Sequence, residues 1–589
     1  MIEKRWILKE QGDERVVADL ASALGIEPAL ANLLVQRGIA TFDEAKAFFR
    51  PQIGHLHDPF LMKDMDKAVE RLIKAVDARE KILVYGDYDV DGTTAVAVIY
   101  AFLKSVGVQV SYFIPDRYKD GYGVATRGID HAVSCGATLI IALDCGIKAV
   151  EKVSYAKERG VDFIICDHHL PGSSIPDAVA VLDAQRPDCT YPYKDLSGCG
   201  VGYKLLQAYC IRRRVSCKVL EPLLDMVAVS IASDIVPITG ENRIMAHYGL
   251  DRLNRSPRRG LHAIIKRSGL QENGHAIGID DVVFRIGPRI NAAGRMESGK
   301  TAVDLLTAET DEIANEVGDI INDHNNDRKD VDHRHTEEAK QIVEQDPQLQ
   351  RKNTTVLYNP DWHKGVVGIV ASRLVERFYR PSIVLTQNKE NNLVTGSARS
   401  IPGFDLYRAI EMCDELLVSY GGHLYAAGLT LTAENVEPFI EKFEQVAAAM
   451  LTPEMLIPQV EIDKEISFAS ITQKFHRIIK QFQPFGPGNM PPVFCTRRVF
   501  CNNGNVRIVG VDKAHLKLDL VQEGTPNALT AIAFNFADFY DYIKEGNPID
   551  ICYAISENDY QGRTSLQLKV KDMKRSEMAN AAEAVQVTN

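Results

Sequence analysis

The stretch Lys81–Ala95, KILVYGDYDVDGTTA, decides both the fold class and the chemistry. Lys81–Gly86 reads as a buried strand, and TTAVAVIYAFLKSVG after Gly92 reads as a helix. Between them stand Asp87, Asp89 and Asp91. Like charges this close raise one another's pKa unless something cationic sits among them, so the loop is either solvated or holds a metal. Alternation along an extended segment is expected to put all three carboxylates on one side. D-x-D-x-D-G also opens an EF-hand, but that loop needs a helix before it and a bidentate Glu at its twelfth position, where this chain has Val98. An EF-hand is therefore excluded.

The same rhythm continues downstream. VQVSYFIP, TLIIALDCG, VDFIICDHH and AVAVLDA are short apolar strands alternating with helical stretches, the pattern of an α/β domain with a doubly wound parallel sheet. Asp144 closes the second of these strands, and Asp167, His168 and His169 close the third. Ligands of open α/β sheets bind outside the carboxyl ends of the strands, so these groups are expected to share one crevice. Asp234, ending the apolar helical run VAVSIASD, is a further candidate ligand. Single aspartates after strands are ordinarily caps or turn residues. Three strand ends loaded in this way are better explained by a metal. Oxygen ligands with an imidazole suit Mn²⁺ or Mg²⁺ better than tetrahedral zinc. Carboxylates bridging two such ions form a clamp for phosphoryl displacement.

At 589 residues the chain should hold several domains. Residues 1–49 read as a helical lead-in and 50–308 as the first α/β domain. The polar stretch 309–345 reads as a long exposed helix bridging to a second α/β domain at 346–452. Residues 453–575 are strand-rich, an all-β, OB-like region, and 576–589 an Ala-rich frayed tail. Net charge of −11 argues against a polybasic coat, although a local groove can still be basic. The 11 cysteines include no C-x-x-C, and no signal peptide is legible at the start, which points to a reduced, cytoplasmic setting. No apolar run is long enough to span a membrane. GRMESGKT, Gly294–Thr301, fits the P-loop pattern, but a P-loop follows directly on a buried strand and here RINAA intervenes. His333 and His335 do not face each other on a helix and are expected to be solvated. SARSIPGFDL offers hydroxyls and Arg399 in a loop entering a helix, which suits either a phosphate or a capped helix start.

DYDVDG, ALDCG, CDHH and SDIVP resemble the successive motifs of the DHH phosphoesterases. RINAAGRM, SARSIPGFDL and GGHLYAAG resemble that family's bacterial single-stranded-DNA exonuclease branch, and the likeness covers about residues 50–575. It implies a DHH catalytic domain with a DHH-associated substrate-binding domain across the crevice. It also implies two Mn²⁺ or Mg²⁺ ions on Asp89, Asp91, Asp144, His168 and Asp234, with Asp144 bridging. Asp87, Asp167 and His169 would support catalysis, His169 at the scissile phosphate. Arg117, Ser397 and Arg399 would anchor a 5′-phosphate, Arg289 and Arg295 would line the strand, and His423 would contact substrate. The implied activity is 5′→3′ exonucleolysis of single-stranded DNA to 5′-mononucleotides in recombination and repair. The implied state is a monomer working with a helicase and single-stranded-DNA-binding protein. Two alternatives stand beside it: a phosphodiesterase of short oligonucleotides or cyclic dinucleotides, and a non-catalytic strand-binding scaffold. The C-terminal β region favours a long strand over the former.

Overall fold

The computed structural model describes residues 3–270, 276–388, 392–525, 528–560 and 563–576. The chain falls into two compact units, one of Met1–Arg50, Ile457–Gln483 and Asn489–Asn589, the other of Pro51–Leu456 and Pro484–Gly488.

The expected helical lead-in is helical only from Glu14 onward; before it lies a strand, β1 (Arg5–Leu8). In the second unit, β2 (Lys81–Gly86), β3 (Val110–Phe113), β4 (Ala137–Leu143), β5 (Asp162–Cys166) and β6 (Ala180–Leu182) form a wholly parallel sheet ordered β3-β2-β4-β5-β6. Both faces are buried, as the continuous apolar runs require. Ile82, Val84, Leu139 and Ile141 enter one core with helices Val90–Ser105, Gly198–Arg212 and Leu224–Ser233. Leu83, Tyr85, Ile140 and Ala142 enter the opposite core with helices Thr126–Ser134 and Val150–Lys157. Each buried valine, leucine or isoleucine among these contributes roughly 1.5–3 kcal/mol. After β2 the chain crosses to β3 on one side and returns to β4 on the other, so strand order reverses at the β2/β4 boundary. That reversal opens a crevice at the carboxyl ends of both strands.

The bridging helix is a single element, Asp311–Gln345, started by Thr310, whose hydroxyl accepts from the Ile313 amide at 3.3 Å. Over 35 residues it runs about 50 Å. One face is seated in the unit through Ala314, Gly318, Ile321, Asn325, His335, Ala339 and Val343, at helical spacing. The expectation that both histidines are solvated fails for His335. It is buried, its Nε2 accepts from the His363 amide at 3.2 Å, and its ring lies 6.2 Å from that of Trp362.

The next sheet holds β7 (Thr355–Tyr358), β8 (Ser382–Gln387), β9 (Val394–Arg399), β10 (Leu417–His423) and β11 (Ala426–Leu431), ordered β10-β11-β9-β8-β7. Only β7 and β8 pair in parallel. Ser397 and Arg399 belong to β9 and not to a loop, which is a correction to the sequence-based expectation. The P-loop look-alike begins inside helix Gly287–Met296, so helix stands where a P-loop needs a strand.

The first unit is completed by β12 (Gln459–Ile462), β13 (Lys464–Glu465), β14 (Phe494–Val509), β15 (His515–Gln522), β16 (Leu529–Ala533), β17 (Ile549–Tyr560) and β18 (Arg563–Arg575). The order β13-β14-β15-β16-β18-β17 closes on itself because β14 also pairs with β17, giving a small barrel. It is not purely β: helix Gln473–Lys480 is inserted before β14. β1 pairs in parallel with β12 from Arg5↔Gln459 to Leu8↔Ile462, and the Trp6 indole donates to Asp572 at 2.6 Å. Residues 577–589 of the expected tail lie outside the described residues. No single helix among the described residues is long and apolar enough to cross a membrane.

Candidate metal centre and phosphate site

Four strands of the parallel sheet end in aspartate: Asp87 after β2, Asp144 after β4, Asp167 after β5 and Asp183 after β6. All four are buried. Asp91 does not share an extended face with Asp87 and Asp89. Asp89 caps helix Val90–Ser105 by accepting from the Gly92 amide at 3.0 Å, and this starts the helix early enough to carry Asp91 in its first turn.

Groups distant in sequence fix the Asp91 carboxylate. It accepts from the Gly198 and Cys199 amides at 2.6 and 2.9 Å and from the Ser230 hydroxyl at 2.6 Å. These donors sit at the starts or within the bodies of two core helices, so the carboxylate is set by the packing of the unit. A Cβ at Gly198 would come within 2.7 Å of the Asp144 Cβ, so this position admits no side chain without moving Asp144. Asp144 itself has φ 58°, a left-handed turn that aspartate tolerates, while its amide donates to Cys166 O at 2.9 Å.

Around these groups stand His168 and Asp234. The His168 Nε2 lies 3.1 Å from Asp144 Oδ1, 3.5 Å from Asp234 Oδ2 and 3.7 Å from Asp91 Oδ2. Asp234 is the C-terminal cap of helix Leu224–Ser233. Donor atoms of Asp91, His168 and Asp234 lie within 4.8 Å of one another, as do those of Asp144, His168 and His169. Burial and then the neighbouring carboxylates push Asp87, Asp144 and Asp234 well above the usual carboxylate range. Burial pushes His168 down, keeping its imidazole neutral and ready to ligate. The buried Asp87 Oδ1 has no hydrogen-bond partner. Crowded carboxylates beside a neutral imidazole, with a donor oxygen to spare, fit a hard divalent cation.

His169 is held differently. Asp167 accepts from its Nδ1 at 2.7 Å and from the amides of His168, His169 and Ile147 at 2.8, 3.3 and 2.8 Å. Burial alone would raise Asp167 and lower His169; their mutual bond outweighs it, holding Asp167 low and His169 high. The Nε2 of His169 is 3.0 Å from the Tyr122 hydroxyl, and its ring stacks on His423 at 6.2 Å. His423 sits at the end of β10 after Gly422, whose φ of 149° and 2.4 Å approach of a built Cβ to Ala426 O leave room only for glycine.

A cationic cluster adjoins the crevice. Burial and then Arg117, Arg328 and Arg399 depress Arg295. Arg117 stacks on the Tyr88 ring at 4.0 Å, with its Nε buried and unpartnered. Arg399 donates to Ser397 Oγ at 2.9 Å. Gly368, in the first turn of helix Val367–Phe378, lies so close that a built Cβ would be 2.9 Å from Ser397 Oγ and 3.1 Å from Arg399 Nη2. Two arginines, a hydroxyl and a helix N-terminus are groups of the kind that could take an anion. Arg289 lies beside Arg328; burial lowers it, and Arg285 and Arg328 lower it further. Its guanidinium donates to the carbonyls of Arg285 and Arg267 and to Asn322 at 2.7–3.3 Å.

Three participants were missed in the sequence. Tyr122 lies between Gly121 and Gly123, both at positive φ, and this flanking was the available signal. Asp183 ends a strand as the others do, and burial pushes it up to about 7. Arg328 carries no local signal, because only the seating of the long helix brings it to Arg295.

A reversed parallel sheet with carboxylates and imidazoles at its switch point defines a metal-dependent phosphoesterase of the DHH type. Family models agree: the DHH family N-terminal domain matches residues 81–231, the DHHA1 domain 351–449 and the RecJ OB domain 462–572. The single-stranded-DNA-specific exonuclease RecJ of Bacillus subtilis is 38% identical over 573 residues, covering 97% of this chain and 71% of that protein. The protein of the same name from Salmonella typhimurium is 32% identical, covering 97% and 100%. The crystal structure of Thermus thermophilus RecJ with Mn²⁺ superposes with a TM-score of 0.83 at 26% identity, covering 98% of this chain and 80% of that one. The chain belongs to the RecJ family.

Proposed function

We propose that this protein is a single-stranded-DNA-specific 5′→3′ exonuclease that releases 5′-mononucleotides with two Mn²⁺ or Mg²⁺ ions. The observation carrying this reading is the His169–His423 ring stack at 6.2 Å, which sets the end of β10 against the carboxylate–imidazole centre. Asp89, Asp91, Asp144, His168 and Asp234 would hold the ions. Bound there, the ions would activate water and neutralise charge on the phosphodiester. Asp91 cannot swing, because two amides and a hydroxyl fix both its oxygens. Asp167 sets the tautomer of His169 and favours its protonated form, which places an N–H for the scissile phosphate. Arg399, Ser397 and Arg117 take the terminal 5′-phosphate, and the fixed spacing from that anchor to the metals selects the first phosphodiester. His423, Arg289 and Arg295 line the strand. Phosphate contacts give sequence-independent binding that weakens with salt.

The same reading places the protein in the cytoplasm in DNA recombination and repair, acting as a monomer with a helicase and single-stranded-DNA-binding protein. Digestion of single strands and duplexes labelled at either end, with and without Mn²⁺, tests it. The expected result is immediate release of the 5′ label as mononucleotide, from single strands and only with metal. First release of the 3′ label, or equal attack on blunt duplex, would overturn it.

A further inference from the structure

A cavity of about 550 Å³ opens among the long helix, helix Val367–Phe378 and the turn preceding helix Gly287–Met296. Phe284, Arg328, Lys329 and Arg373 line it, together with the carboxylates Asp332 and Glu337. Of these only Arg328 was met above, through its effect on Arg295. Phe284 is 74% exposed and stands on a π-helical turn, Val282–Ile286, a local distortion frequent at functional sites.

The cations around this ring are crowded and under-paired. Arg328 donates to Asn325 Oδ1 at 3.1 Å, yet its Nε is buried with no partner. Lys329 has no carboxylate within 4.0 Å among the described residues. The local acids are already engaged: Asp332 accepts from the Thr336 hydroxyl at 3.2 Å, and Glu337 pairs with Lys340 at 2.8 Å. Arg373 reaches Asp332 and Glu376 only at 3.7 and 3.9 Å. Burial lowers Arg328 although Asp332 opposes it, with Arg373 adding to the fall, and burial, Arg289 and Arg328 lower Lys329 against Asp330. Because Arg328 also acts on Arg295, positive charge continues from the phosphate cluster into this cavity. Crowded cations with spare N–H groups call for an anion, and an exposed aromatic ring beside them calls for a flat partner. A nucleotide unit supplies both, and stacking on an aromatic side chain serves any base.

We propose that this cavity is a second nucleotide subsite, holding a phosphate on Arg328, Lys329 and Arg373 and stacking a base on Phe284. It rests on the nuclease reading and extends it beyond the terminal phosphate. The occupant is either a unit of the bound strand or the released deoxynucleoside 5′-monophosphate, which share this chemistry.

Two arms separate the sources. In an Asp144→Asn background, fluorescence anisotropy of labelled single strands measures strand affinity. In the active protein, inhibition by added deoxyadenosine 5′-monophosphate measures product binding. Phe284→Ala should weaken one of the two by about tenfold, and Phe284→Trp should restore it. Where the occupant is a strand unit, Arg373→Ala should reduce the salt slope of strand binding by about one; where it is the product, Arg373→Ala should weaken inhibition by the monophosphate instead. An effect in the first arm makes the occupant a strand unit, and an effect in the second makes it the product. Phe284→Ala and Arg373→Ala proteins within twofold of their parent in both arms would overturn the subsite while leaving the nuclease reading intact. A parent that binds strands but never degrades them would instead overturn the nuclease reading.

Discussion

Asp234→Asn separates what the metal centre does for stability from what it does for activity. The donor atoms of Asp234 and Asp91 lie within 4.8 Å of each other. Two full charges at that separation would repel by about 3 kcal/mol at an effective dielectric constant near 20, an upper bound because burial and its neighbours push Asp234 toward its neutral form. Asparagine keeps the volume and suits a helix C-cap, so without metal the variant should gain up to about 3 kcal/mol. For a unit of a few hundred residues that raises Tm by several degrees. With Mn²⁺ at about one hundred times its Kd, the parent should gain about 2.7 kcal/mol, whereas the variant should gain much less. Turnover should fall by more than the roughly 10–100-fold typical of outer-shell partners. Thermal unfolding in chelator and in Mn²⁺, with a strand-digestion assay, reads all three quantities. The pH dependence follows with an unusual sign. Asp87, Asp144 and Asp234 have folded pKa values above their unfolded ones, so the metal-free fold binds more protons than the unfolded chain. Metal-free stability should therefore fall as pH rises from near 4 through those folded values. An Asp234→Asn protein less stable than its parent in chelator, with an undiminished Mn²⁺ shift, would refute the assignment.

Arg399→Ala should remove the preference for 5′-phosphorylated strands, by about tenfold or more, with hydrolysis of 5′-hydroxyl strands as the reference; an unchanged ratio would exclude it from the anchor. Gly198→Ala should cost roughly 1–3 kcal/mol by overpacking and weaken Mn²⁺ binding through displaced Asp144, as read by denaturant unfolding and metal titration. His169 should titrate above 6.5 by imidazole NMR in the metal-free protein and fall in Asp167→Asn. The stabilisation that raised value represents is full below the unfolded pKa of about 6.5 and is lost as pH rises through the folded one.

The α/β rhythm and the aspartates at strand ends were legible because alternation of short apolar strands with helices leaves few topologies, and the switch point then fixes where ligands meet. The family match rests on the same motifs, which are contiguous in sequence. Illegible features all depend on distant partners. Asp91 lies on a helix because Asp89 caps it, so a local choice between extension and helix start was resolved against the alternation rule. Its clamps, Gly198, Cys199 and Ser230, come from helices more than a hundred positions away. His335 looks solvated because its burial is supplied by Trp362 and the His363 amide, on a different element. Strand β1 is four residues long and pairs with residues some 450 positions later, leaving no local trace beside the helices that follow it.

The central claim is that carboxylates and imidazoles from separate strands and helices gather divalent ions at one switch point. Anomalous diffraction at the manganese edge from crystals grown with Mn²⁺ tests it most directly. Two peaks about 3.5–4 Å apart, shared among Asp89, Asp91, Asp144, His168 and Asp234 with Asp144 touching both, are expected. A crystal saturated with Mn²⁺ that shows no peak there, its carboxylates turned away from one another, would contradict it.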